Sequence, residues 1–172
     1  NFGGGMFDFS IVNFNRPYLK ILSTYGDDQL GGLDLVNEMV RLIVSKFESL
    51  ESIRLNLEKS LILKAEIYQV AQNVVHELSN KTESIVNIQS VARSKDFNII
   101  DMNLIITRIE FEVAITPIIY KTIEFMKNSL EDSKVDLRRL SKVLLVGGSS
   151  KIPLVKRKVE EALYYYYNQK AI

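Results

Sequence analysis

The chain has 172 residues with no cysteine, no tryptophan and one histidine, and 22 Lys+Arg against 21 Asp+Glu leave a formal charge of +1. Apolar residues make up 47% and charged residues 25%, values of a globular chain that can bury a real core in one or two lobes. They exclude a disulfide scaffold, a cysteine-based zinc or redox site, a disordered chain and a general pull toward nucleic acid or anionic lipid. No apolar run approaches the roughly 18 residues of a membrane span.

In chain order, Met6 to Phe14 partly alternates, with Phe7, Phe9 and Ile11 against Asp8, Ser10 and Asn13. Period 2 with aromatic and β-branched residues predicts a strand. Asn15-Arg16-Pro17 is a turn signal, and Tyr18 to Thr24 reads as the returning strand. Asp27-Asp28 and Gly31-Gly32 mark a loop. From Asp34 to Phe47 the residues Leu35, Met39, Leu42, Ile43 and Phe47 recur at helical spacing. A second helix is predicted from about Ile53 to Leu78, a stretch without Gly or Pro.

Ile85, Val86, Ile88 and Val91 predict a strand, Ala92 to Lys95 a turn, and Phe97, Ile99 and Ile100 its hairpin partner. Thr107-Arg108-Ile109-Glu110 has the form of a capping box and announces a helix. Thr116-Pro117 punctuates it, and Pro suits the first turn of a next helix running to about Asp132. Lys142 to Val146 is a short apolar run that predicts a buried parallel strand. Gly147-Gly148-Ser149-Ser150 follows, and Ile152-Pro153 opens a last helix with Leu154, Val155, Val159, Ala162, Leu163 and Tyr166 on one side. The predicted class is α/β, with a helix-rich insert between sheet-forming halves.

Two glycine turns can carry chemistry, Gly3-Gly4-Gly5 and Gly147-Gly148-Ser149-Ser150. Backbone amides approach phosphate oxygens where no Cβ intrudes, so both suit a polyphosphate, and the second stands between a strand and a helix N-terminus. Each alone is weak, since a Gly-Gly pair is more often only a turn. The chain starts at Asn1 with no initiator Met, signal pattern or strand ahead of the first glycine cluster, which reads as part of a longer protein. The lack of cysteine fits a reducing compartment.

Four segments together resemble one family. Asn1-Phe2-Gly3-Gly4-Gly5-Met6-Phe7-Asp8-Phe9-Ser10 is similar to the second phosphate loop of Hsp70 chaperones, Asp-Leu-Gly-Gly-Gly-Thr-Phe-Asp-Val-Ser. Ser23-Thr24-Tyr25-Gly26-Asp27-Asp28-Gln29-Leu30-Gly31-Gly32-Leu33-Asp34 resembles Ser-Thr-Ala-Gly-Asp-Thr-His-Leu-Gly-Gly-Glu-Asp. Ile106-Thr107-Arg108-Ile109-Glu110-Phe111-Glu112 resembles Ile-Thr-Arg-Ala-Arg-Phe-Glu, and Leu145 to Pro153 resembles Leu-Val-Gly-Gly-Ser-Thr-Arg-Ile-Pro. They follow the family's order at family-like spacing over nearly the whole chain.

The resemblance implies lobe II of the Hsp70 ATPase domain, an actin-like (ribonuclease H-like) fold. Residues 1–30 and 116–172 would form the sheet-bearing base subdomain (IIA-like), and residues 31–115 the inserted upper subdomain (IIB-like). The hairpin around Ala92 to Asn103 would carry an insertion. Lobe I, with its own phosphate loop and catalytic lysine, and the substrate-binding domain would lie outside this chain.

Residue by residue, the resemblance implies a site for ATP or ADP with magnesium, with no direct protein ligand to the metal. Gly3 and Gly4 would meet the β- and γ-phosphates through their amides, and Asp8 would arrange magnesium-bound water. Gly148 and Ser149 would lie against the α-phosphate and adenosine, and Lys151 on the adenine face, where an arginine is usual. Gly32 would line the nucleoside side, and Ser79 would bond the base. Several positions depart. Asn1 stands at a catalytic Asp, and an amide cannot act as a carboxylate base. Met6 stands at a threonine facing the γ-phosphate. Gln72, Val75 and His76 replace Glu, Lys and Arg around the ribose, and Leu33 replaces a Glu.

Simpler readings compete. His76 has no second histidine or cysteine beside it in the sequence and reads as a partly exposed helix residue. Asp27-Asp28 reads as a solvated turn before a metal pair. Alternate members of the run Tyr164 to Tyr167 would pack inward. Glu48, Glu51 and Glu58 with Lys59 and Lys64 read as a solvated helical face, and Met39, Met102 and Met126 as core fillers.

The leading expectation is the C-terminal lobe of an Hsp70-like ATPase, contributing to ATP binding and ATP-driven protein folding and catalysing little alone. The alternative is a divergent Hsp110/Grp170-like relative acting as exchange factor or holdase, which Asn1, Met6, Gln72 and Val75 favour. A sugar-kinase lobe is disfavoured. Nucleotide exchange factors, J-domain cochaperones and unfolded clients are the implied partners, with no nucleic acid and no membrane. The cytoplasm is the expected location, and the endoplasmic reticulum or another organelle stays open.

Overall fold

Alternating Phe7, Phe9 and Ile11 and the Asn15–Tyr18 turn make the first hairpin, β1 (Phe7–Asn15) and β2 (Tyr18–Asp27). The computed structural model describes residues 1–169. After the hairpin come α1 (Gly32–Glu51), α2 (Leu61–Leu78), the hairpin β3 (Glu83–Arg93) and β4 (Ile99–Thr107), α3 (Arg108–Ser133) and α4 (Pro153–Gln169). Short 3-10 turns at Leu137–Arg139 and Gly148–Lys151 precede α4. Mixed helix and strand content agrees with the α/β class. Both sheets of the described residues are two-stranded and antiparallel.

The contacts divide the chain into two units, residues 1–33 with the chain from 116 onward, and residues 34–115. In the first, Ile11, Met126 and Leu130 are buried together, with Phe9, Leu22, Ile123, Val159, Leu163 and Tyr166 packed around them. Ser129 is fully buried and its hydroxyl lies 2.6 Å from that of Ser23, which ties α3 to β2. Phe2 meets Phe7 edge to face at 5.6 Å, and Phe7 meets Phe125 at 6.0 Å. Lys121 pairs with Asp27 at 2.6 Å.

In the second unit, α1 buries Leu35, Val36, Met39, Ile43 and Phe47, one stripe of a 3.6-residue period. The stripe of α2 is Ile67, Ala71, Val74 and Leu78, and this helix packs against β3. The hairpin alternates as a half-buried sheet must, with Val86, Ile88, Met102, Leu104 and Ile106 inward. Arg108 holds the end of α2, its Nε donating to the Leu78 carbonyl at 2.8 Å. The capping box forms in full. Glu110 N–H donates to Thr107 Oγ1 at 3.2 Å, and Thr107 N–H donates back to Glu110 Oε2 at 2.8 Å. Lys46 closes on the same carboxylate at 2.5 Å.

Five expectations need correction. The second helix starts at Leu61, not Ile53: Ser60 caps it, and the residues before it are held by local polar contacts that compete with a helix. Glu48 Oε1 accepts from Leu55 N–H at 2.7 Å and Oε2 from Arg54. That carboxylate is therefore part of a folded turn rather than a solvated helical face, and Glu58 and Lys59 also lie in the turn. Pro117 does not open a new helix. It sits inside α3, where Phe111, Ile115, Ile119 and Met126 form a buried stripe on either side, and burial carries the helix past the missing N–H.

The largest correction is Lys142–Val146. It forms no strand ladder among the described residues, and Val143 to Val146 are 41–71% exposed. One backbone bond, Phe2 N–H to the Val146 carbonyl at 2.7 Å, holds its end. An apolar run becomes a buried strand only where neighbours supply a ladder and a cover. Of the tyrosine run, only Tyr166 packs inward, and Tyr164, Tyr165 and Tyr167 are exposed. Met39, Met102 and Met126 are core residues as expected.

Candidate functional site

Three glycine-bearing segments converge in the first unit, joined by backbone hydrogen bonds. Gly32 N–H donates to the Gly3 carbonyl at 2.9 Å, and Leu33 N–H donates to the Gly4 carbonyl at 2.8 Å. The first amides of α1, which no helical carbonyl can reach, are thereby satisfied by the glycine loop. From the other side Ser149 N–H donates to the Phe2 carbonyl at 3.2 Å, and its hydroxyl to the Gly3 carbonyl at 3.4 Å. Phe2 is the common anchor: its ring is buried, its N–H reaches Val146 and its carbonyl holds Ser149.

Glycine is required where these segments meet. A Cβ on Gly31 would lie 2.5 Å from the Gly4 carbonyl oxygen, and one on Gly32 2.7 Å from Ser149 Oγ. At Gly147 a Cβ would fall 2.2 Å from the Phe2 carbonyl oxygen, and its φ of +96° is itself a glycine conformation.

Gly4, Gly5 and Gly148 differ: nothing lies within 4 Å of where their Cβ would be. Their N–H groups have no acceptor among the described residues. The Gly3 N–H, a donor expected from the sequence, is instead engaged by the Met6 carbonyl at 3.0 Å. Amides without an acceptor, on residues whose Cβ positions are open, are candidate donors to an anion, and these three are called the glycine cradle below.

Asp8 stands at the start of β1, paired in register with Gly26. Its N–H donates to the Asn1 carbonyl at 2.9 Å, and Asn1 Nδ2 lies 3.5 Å from Asp8 Oδ2. Asp8, Met6, Gly26, Asp27 and Asp28 line an open depression floored in part by Phe125. Lys121 donates to Asp27 and holds its carboxyl below the ordinary value, helped by Gln29 N–H. Asp27 is thus a paired turn residue. Among the described residues no group of three or more carboxylates and imidazoles could hold a metal.

Lys151 ends the 3-10 turn and is exposed. The structure thus brings Asn1, Gly3, Gly4, Met6, Asp8, Gly32, Gly148, Ser149 and Lys151 into one unit. Gln72, His76 and Ser79 belong to the second unit, all on or capping α2. Gln72 and His76 are exposed, and Ser79 Oγ donates to the Val75 carbonyl at 3.2 Å. Two residues of the site have a place in the sequence motifs but no individual role there. Gly5 supplies a free amide, and Gly31 fits against the glycine loop; adjacency within a glycine pair was their only signal.

A family model described as "Hsp70 protein" matches residues 1–170. The chain is similar to the chaperone protein DnaK of Nitrosopumilus maritimus, 30% identical over 163 residues, 95% of this chain and 25% of that protein. It is 31% identical to the mitochondrial heat shock 70 kDa protein of Solanum tuberosum over 92% of its length and 23% of the relative. To the mitochondrial heat shock 70 kDa protein of Pisum sativum it is 30% identical, with the same coverage. The chain spans about a quarter of the length of these relatives.

Proposed function

The chain belongs to the Hsp70 family, and from that premise we propose that it is the second lobe of an Hsp70-type nucleotide-binding domain of actin-like fold. Residues 1–30 with 116–172 are its base subdomain and 31–115 its upper subdomain. Its task is to hold ATP or ADP with magnesium and to pass the state of the nucleotide on to the rest of a chaperone.

The observation that carries this reading is the cradle. Gly4, Gly5 and Gly148 present free amides beside open space, and such amides suit the terminal phosphates and the α-phosphate. Gly3, Gly32 and Ser149 hold the cradle in shape through their mutual bonds. Lys151 would take the adenine face, and the nucleoside roles of Gln72, His76 and Ser79 in the second unit rest on the family resemblance alone. The Asp8 carboxylate would order magnesium-bound water. Asn1 and Met6 put an amide and a thioether where a carboxylate and a hydroxyl are usual, so binding persists and hydrolysis is slow.

The names of the relatives favour this reading over the exchange-factor alternative. ATP-driven folding of unfolded clients, with J-domain and exchange-factor partners, is the proposed activity of the whole protein. The cytoplasm is its proposed location. Among the described residues no helix is long and apolar enough to cross a membrane.

Calorimetric titration of the full-length protein with magnesium-ATP tests the site. Gly148→Asp adds a carboxylate to the cradle where no atom obstructs it. Binding should be lost while the thermal unfolding midpoint holds. Unchanged binding sinks the assignment.

A further inference from the structure

The four methionines divide by environment. Met39 and Met102 are fully buried and Met126 is 1% exposed, whereas Met6 is 46% exposed. Met6 closes the glycine turn through its carbonyl. Met6 lines the open depression that Asp8, Gly26, Asp27 and Asp28 share. A thioether is a two-electron reductant, and access of the oxidant to sulfur governs how fast it reacts.

We propose that Met6 is a peroxide-reactive modification site whose oxidation weakens polyphosphate binding at the glycine cradle. The second half rests on the nucleotide reading above; the first does not. The sulfur lone pair attacks one oxygen of a peroxide, forming the S–O bond as the O–O bond breaks. Sulfur gives up two electrons and becomes a sulfoxide, and the peroxide is reduced. With hydrogen peroxide, the proton left on the transferred oxygen passes to the departing hydroxide, which leaves as water.

The product is a polar, chiral side chain in place of an apolar one. Its oxygen carries partial negative charge and shares the depression with three carboxylates, one of them paired with Lys121. A polyanion approaching Gly4 and Gly5 then meets added negative potential where the thioether had none. A nucleotide bound at the glycine turn would in its turn restrict access of peroxide to the sulfur.

The experiment treats full-length protein with hydrogen peroxide, with and without magnesium-ATP. Peptide mass spectrometry follows Met6, Met39, Met102 and Met126, and ATP affinity is measured before and after. Met6 should oxidise about tenfold faster than the three buried methionines, and magnesium-ATP should slow it. Oxidised protein should bind ATP about fivefold more weakly or worse. Met6→Leu should lose the difference between its own treated and untreated samples. Oxidation of the buried methionines at the Met6 rate overturns the site. A fast Met6 with unchanged ATP affinity overturns the coupling. Protein that binds no ATP even before treatment overturns the nucleotide reading instead and the coupling with it, while the Met6 peptide still decides the oxidation site.

Discussion

The amide of Gly32 donates to the carbonyl of Gly3 at 2.9 Å, joining the first turn of α1 to the first glycine turn, backbone to backbone. The helix therefore does not spend its N-terminal donors on a ligand. Gly32 and Leu33 spend them on fixing the loop, and of the loop's own amides Gly3 is taken by Met6 while Gly4 and Gly5 have no acceptor among the described residues.

Gly31→Ala should disturb this junction. Its Cβ would lie 2.5 Å from the Gly4 oxygen and 2.7 Å from the Gly5 carbonyl carbon, backbone atoms that cannot swing aside. A loss of about 1–3 kcal/mol in unfolding free energy is expected, together with weaker magnesium-ATP binding. Gly5→Ala, with open space around it, should stay within about 0.5 kcal/mol. Chemical denaturation of both variants checks the contrast.

Phe2→Ala removes the anchor beneath two of the three segments. The ring is 2% exposed and packs on Phe7, so a cost of about 3 kcal/mol is expected from transfer and cavity terms. The carbonyl that holds Ser149 remains but is no longer fixed in place. Denaturation should show the loss in stability, and amide exchange should show faster opening at Ser149.

Thr107→Ala should cost about 1 kcal/mol as the loss of a cap, read by thermal unfolding. Its partner Glu110 gives a pH signature. Burial opposes its ionisation, but Lys46 and both Thr107 donors outweigh this, and its pKa lies below the ordinary 4.5. A lowered folded-state pKa contributes stability that is present above the unfolded value and lost as pH falls through the folded one. Stability should therefore decline below about pH 4.5, and Glu110→Gln should flatten that part of the curve.

Lys151→Arg restores a planar guanidinium at the proposed adenine face. Stacking of about 0.5–1 kcal/mol predicts adenine-nucleotide binding two- to fivefold tighter. Calorimetry that finds no gain removes Lys151 from the adenine site.

Much of this was legible in the residues. The Thr107–Glu110 box, the stripe of α1 and the first hairpin follow from short-range patterns, because caps, helical periodicity and turn chemistry are local. The glycine turns were legible as candidate phosphate loops. What they donate was not: Gly3 looked like a donor to phosphate, and only the fold reveals that Met6 takes its N–H. The helix across Pro117 was read as two because local propensity argues for a break there. A buried stripe spanning both sides overrides it.

The sequence by itself determined the family, the two hairpins, the stripe of α1 and the glycine positions, since each rests on residue identity and near-neighbour spacing. Only the tertiary structure decided which amides stay free, that Phe2 anchors Ser149, and that Val143–Val146 stands exposed without a ladder. Those outcomes depend on partners distant in sequence, Gly3 with Ser149 and Phe2 with Val146, and the position of a distant partner is not written in either residue. The charge of +1 and the missing cysteines excluded broad classes of chemistry. The meeting of three glycine segments, two of them anchored by Phe2, decided where the remaining chemistry could be.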